Sequence, residues 1–159
     1  MSATDDLLAN NEQYAASFDN GDLPSTPAKK VAVVACMDAR IHVSKALGLE
    51  EGDAHVIRNA GGVVTDDEIR SLAISQHLLG TEEVILIHHT DCGMLKFTDE
   101  DFKQHLEEQH GERPDWDSGA FEDIEGNLRE SIERIRSSPF VPNKHSIRGF
   151  VYELSLIHI

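Results

Sequence analysis

A chain of 159 residues with 40% apolar and 27% charged side chains has the size and balance of one globular domain, which excludes a disordered or collagen-like chain. Its formal net charge of -15, from 29 acidic against 14 basic side chains, repels phosphate backbones and anionic lipid, so neither nucleic acid nor membrane is expected as a partner. No apolar run approaches the roughly 18 residues of a membrane span, and the opening MSATDDLLANNEQ lacks the basic-then-apolar order of a secretory leader, so a cytoplasmic location is expected.

Residues 1–28 are polar: Asp5 and Asp6 precede Leu7 and Leu8, and Gly21, Pro24, Ser25 and Pro27 follow. They read as a short helical arm and a linker. The main domain is expected over 29–154. It opens with Val31-Ala32-Val33-Val34-Ala35, a continuous apolar run that suits a strand buried on both faces of a parallel sheet. A second strand is expected over Ala54–Ile57, and a helix from Thr65-Asp66-Asp67-Glu68 to about Leu79, its acids suiting a capped first turn. Val84–Ile87 reads as the third strand. Helical patterns around Thr98–Glu108 and Phe121–Ile135 flank a loop from Gly111 to Gly119, with Trp116 as a local packing anchor, and a last strand is expected over Ile147–Leu154. Strands alternating with helices predict an α/β fold, a mainly parallel sheet flanked by α-helices. Residues 155–159 read as an atypical, truncated or non-native tail, on which no site is built.

In such sheets ligands bind outside the carboxyl ends of the strands, and the two cysteines fall there, after the first and third runs. Cys36-x-Asp38-x-Arg40 and His89-x-x-Cys92 would bring two sulfurs and an imidazole together from two loops. Zinc favours that donor set, and three protein ligands with one open position is its catalytic pattern. Asp38 either closes the shell as a fourth ligand or turns to the planar fork of Arg40. With two cysteines 56 positions apart, a disulfide framework is not indicated, although one Cys36 to Cys92 disulfide is the bland alternative.

Together, Cys-x-Asp-x-Arg and His-x-x-Cys about fifty residues later, with Arg58-Asn59-Ala60-Gly61, His88-His89-Thr90-Asp91-Cys92-Gly93 and Arg148-Gly149-Phe150, resemble the β-class carbonic anhydrases, small prokaryotic type. The resemblance covers about residues 28–153. It implies one Zn²⁺ per chain on Cys36, His89 and Cys92, with Asp38 as fourth ligand or as partner of Arg40, and Asp38 and Arg40 as catalytic residues. It also implies reversible hydration of carbon dioxide to bicarbonate, and a homodimer or larger homo-oligomer in which residues 4–18 pack on a neighbouring subunit. Two thiolates put more negative charge on zinc than three imidazoles would, so turnover is expected to rise on the alkaline side.

Other readings stand beside this one. Carbon disulfide or carbonyl sulfide hydrolysis would use the same fold, and a non-catalytic zinc or thiol-redox module would use the same ligands. Neighbouring strand residues point to opposite faces, so only one of His88 and His89 can join Cys92, and the family motif selects His89. Asp91 suits a loop cap as well as a supporting acceptor and is left outside the site. Gly61, Gly62 and Gly93 suit either close approach to substrate or plain turn geometry. His42, His55, His77 and His88 are candidate proton carriers by titration range alone, and His105 and His110 read as a solvated helix face.

Overall fold

The structure is a computed structural model that describes residues 2–159. Among the described residues, five helices and four strands follow in chain order: α1 Ala3–Ser17, β1 Val31–Cys36, α2 Val43–Leu47, β2 Ala54–Asn59, α3 Asp66–His77, β3 Glu83–His89, α4 Asp99–His110, α5 Ile124–Ser137 and β4 Ile147–Tyr152. Short 3₁₀ turns at Ala60–Gly62 and Gly93–Leu95 follow β2 and β3.

The four strands form one sheet in the order β2-β1-β3-β4, and all three pairings are parallel. β1 lies at its centre, which is why Val31–Cys36 reads as a nearly unbroken apolar run with Ala32 to Cys36 all buried. From β1 the chain moves outward to β2 on one side. It then returns past β1 to lay down β3 and β4 on the other. The neighbouring carboxyl ends of β1 and β3 are therefore the switch point of the sheet, where open α/β folds leave a crevice.

Apolar side chains cover both faces. One layer gathers Val33, Ala35, Ile87, Met94 and Phe121, and the other Val34, Leu72, Leu86, Leu128 and Ile135. Burying a side chain such as Leu72 or Leu86 contributes about 1.5–3 kcal/mol. The expected α3 is present and begins at Asp66, capped by Thr65, with Thr65 and Glu68 forming a reciprocal capping box.

Several local readings are refined by the structure. β4 ends at Tyr152 rather than Leu154, and Glu153 instead pairs with His158 across a tight turn. The five-residue α2 was not anticipated, since its apolar content is too short to show a helical period. Trp116 sits against Phe102 at 6.3 Å between ring centroids yet stays half exposed, so it is a surface contact more than an anchor.

Candidate metal centre

Parallel pairing sets Ala35 of β1 opposite Ile87 of β3, so Cys36 and His89 leave the sheet side by side. Cys92 returns to them because the chain turns sharply at Asp91, which takes the left-handed φ of 52° that Asp tolerates better than most residues. The Cys36, His89 and Cys92 donor atoms all lie within 4.8 Å of one another, and all three residues are buried. Among the described residues this is the one group of such side chains placed to hold a metal.

The two sulfurs are 4.0 Å apart and unbridged. Zinc–sulfur bonds of about 2.3 Å at a tetrahedral angle would separate two sulfurs by about 3.8 Å, so the pair fits zinc without a backbone shift. His89 fits as well: its Nδ1 is 2.8 Å from the Thr90 carbonyl oxygen, to which it donates, leaving Nε2 as the lone-pair nitrogen. That Nε2 is buried with no protein hydrogen-bond partner. An orphaned buried nitrogen facing two sulfurs is what a metal would satisfy.

The titrating groups of the cluster shift one another's protonation. Hydrogen bonding with Cys92 lowers the Cys36 pKa, and the same contact raises that of Cys92. Burial pulls His89 down, but the Cys36 sulfur and the Asp38 carboxylate beside it raise it overall. His88, although adjacent, points elsewhere. Its Nε2 lies 2.8 Å from Asn127 Oδ1 of α5 and its ring stacks on Phe121, while burial lowers its pKa and keeps it neutral.

Asp38 is turned toward Arg40. Arg40 Nε donates to Asp38 Oδ1 at 2.9 Å and Nη2 to Oδ2 at 2.7 Å, while the Arg40 backbone amide adds a third bond to Oδ1 at 2.9 Å. This fork holds the Asp38 carboxyl well below the usual carboxylate range. Asp38 Oδ2 nevertheless lies only 3.8 Å from His89 Nε2, so the ion pair borders the sulfur and imidazole cluster.

Three supporting groups lie outside the set of site residues expected from the sequence. Arg58 wraps the end of β1, donating from Nε and Nη2 to the Cys36 carbonyl oxygen at 2.9 and 2.6 Å and from Nη2 to that of Asp38 at 2.8 Å. Gly62 has a φ of 68°, and a Cβ there would come within 2.8 Å of the Cys36 amide nitrogen, so the glycine serves close packing against the ligand strand. Gly93 has no such constraint. Asp91 accepts from Arg40 Nη1 at 2.8 Å. Such contacts link loops distant in sequence, and no local spacing announces them.

A carbonic anhydrase family profile matches residues 31–156. Over 155 residues the chain is 57% identical to "Beta-carbonic anhydrase 1" of Mycobacterium tuberculosis, covering 98% of this chain and 94% of that protein. The chain belongs to the β-carbonic anhydrase family. The crystal structure of a carbonic anhydrase from Streptococcus mutans superposes with a TM-score of 0.93 at 43% identity, covering 99% of this chain and 96% of that one. A carbon disulfide hydrolase of Saccharolobus solfataricus is 35% identical over 175 residues, covering 94% of this chain and 84% of that protein.

In this β-carbonic anhydrase chain, a cleft of about 760 Å³ lies on the outer side of Arg40, bordered by Arg40, His42, Thr90, Asp91, Tyr152 and the turn after β4; Cys36, Asp38, His89 and Cys92 do not line it. Of the four histidines named as proton carriers, His42 lies on that cleft. His55 is engaged with Ser75, and His77 with the Phe140 carbonyl.

Proposed function

We propose that the chain is a carbonate dehydratase that interconverts carbon dioxide and bicarbonate with one Zn²⁺ held by Cys36, His89 and Cys92. The observation that carries this is the buried, partnerless His89 Nε2 facing two sulfurs 4.0 Å apart. Zinc, when bound, supplies Lewis-acid activation of water for attack on carbon dioxide.

The protein's own groups do the rest. The Thr90 carbonyl fixes the His89 tautomer, and Arg58 holds the Cys36 and Asp38 carbonyls so that the loop cannot unwind from the sulfurs. Arg40 keeps Asp38 ionised and turned aside, which leaves room for a reacting water. The ionised Asp38 is an acceptor only, so it can take a hydrogen bond from that water and aim its lone pair at substrate. Arg40 has its charge reinforced by Asp38 and Asp91.

A homodimer is part of this reading, supported by helix α1, which buries none of its residues within the chain and exposes Leu7, Leu8 and Tyr14. A reducing, cytoplasmic compartment is supported by the two thiols, which must remain unbridged to serve as ligands.

Stopped-flow carbon dioxide hydration at pH 7 and pH 8.5, on protein of known zinc content, tests the function. Zinc near one per chain with turnover rising toward pH 8.5 is expected. Full zinc with no turnover of carbon dioxide, and turnover of carbon disulfide in its place, would overturn it.

A further inference from the structure

We propose that Asp91 is a positioning residue for the Asp38–Arg40 pair, gripping the outer edge of the guanidinium so that its inner edge stays on Asp38. The inference rests on the anhydrase reading above and adds a residue to it. Arg40 is held from two sides. Nε and Nη2 donate to Asp38 at 2.9 and 2.7 Å, while Nη1 donates to Asp91 Oδ2 at 2.8 Å and Nη2 to the Asp91 carbonyl oxygen at 3.1 Å. The other carboxylate oxygen of Asp91, Oδ1, lies 3.0 Å from Lys96 Nζ. A chain of four charges thus runs from Lys96 through Asp91 and Arg40 to Asp38.

The arrangement matters because of what one pair alone would do. The Arg40 side chain is 51% exposed, and a single exposed ion pair holds a long side chain weakly. A planar fork gripped on two edges loses its freedom to rotate out of the Asp38 plane. Asp38 Oδ2 is 3.8 Å from His89 Nε2, so a carboxylate released by a wandering guanidinium could turn toward the sulfurs and imidazole. It would then take the place that substrate water needs. Asp91 acts through Arg40, not on the reacting atoms.

The bland explanation of Asp91 is its backbone, since φ of 52° favours Gly, Asn and Asp over other residues. Two substitutions separate the explanations. Asp91→Gly relieves the backbone and deletes the carboxylate, whereas Asp91→Asn suits the backbone and keeps one acceptor for Arg40. Zinc-loaded wild type, Asp91→Gly and Asp91→Asn would be compared for kcat, KM and zinc content. Their cobalt-substituted forms would be titrated with azide, whose binding shifts the visible absorption only when a coordination position is free.

Asp91→Gly is expected to lose on the order of 10-fold in kcat, as supporting groups around metal sites do, with KM and zinc content unchanged and a weakened azide shift. Asp91→Asn is expected to retain most of both. Asp91→Gly matching the wild type in kcat and azide response would overturn the proposal and leave Asp91 a backbone residue. A zinc-loaded wild type that turns over no carbon dioxide would instead overturn the anhydrase reading. In that case the azide response still decides the positioning role: its loss in Asp91→Gly upholds the role, and its retention ends it.

Discussion

The carboxyl end of the sheet and helix α1 are built on opposite terms. Cys36, His89 and Cys92 are all buried, and the loops carrying them are tied across the fold by Arg58 and Arg40. Helix α1 is well formed, with a Ser2 and Asp5 capping box, yet no residue of it is buried, and Tyr14 Oη donating to Glu51 at 2.8 Å is a surface tie to the body. Local capping is enough to specify a helix. It does not say what the helix packs on. The sheet end is over-determined by contacts within one chain, and the arm is under-determined by them.

If that contrast is right, the largest effects come from the sheet end. Cys92→Ser should lose zinc and reduce turnover to background, because removing one of three ligands leaves a site that cannot hold the metal; zinc analysis beside stopped-flow hydration checks both. Asp38→Ala should lower kcat by about 10²–10³, the range for deleting a pre-set polar group at a reacting centre, while zinc stays bound. Loss of zinc together with activity would make Asp38 a structural ligand instead. Because Arg40 holds the Asp38 pKa below its ordinary value, Asp38 stays ionised through neutral and alkaline pH. The rise in turnover between pH 7 and pH 8.5 should therefore persist in a variant such as Lys96→Gln, which touches the pair only through Asp91.

A smaller but still large effect should come from Gly62→Ala. The left-handed φ costs a residue with a Cβ about 1–2 kcal/mol, and the added carbon would press on the Cys36 amide at 2.8 Å, which overpacking data put at about 1–3 kcal/mol more. Together these correspond to a fall in melting temperature on the order of 10 °C, with weakened zinc retention because the displaced strand carries Cys36. An unchanged melting temperature would mean that the β1 end can give way.

How much of this was legible in the sequence follows from where the determining contacts lie. The strands β1 and β3 were readable because full burial on both faces demands unbroken apolar runs, and α3 because Thr65 and Glu68 carry its cap within four residues. The meeting of Cys36, His89 and Cys92 was readable because residues at or just past the carboxyl ends of two neighbouring strands come close together, and β1 and β3 are neighbours. The partners of Arg58, Gly62 and Asp91 were not readable, although a supporting acceptor was one of two readings open for Asp91. Arg58 reaches back 22 positions to the Cys36 carbonyl and Arg40 reaches forward 51 to Asp91, and only the assembled topology brings such partners together. The short α2 escaped because five residues cannot display a period, and the turn after Tyr152 because Glu153 and His158 pair through backbone atoms.

The arm offers the smallest effect on the folded chain and the sharpest test of the contrast. Replacing Leu7 and Leu8 by Ser should change the unfolding free energy of the isolated chain by less than about 0.5 kcal/mol, as for surface positions generally, since these side chains are 67% and 61% exposed. If α1 docks on a second copy, each leucine buried there contributes about 1.5–3 kcal/mol to association. The double variant should then sediment at lower mass on dilution than the wild type. A destabilised chain at unchanged mass would place the arm's partner within its own body. A lower mass with an unaltered sheet end and full zinc would show that the same sequence specifies its metal centre alone and completes its arm only in company.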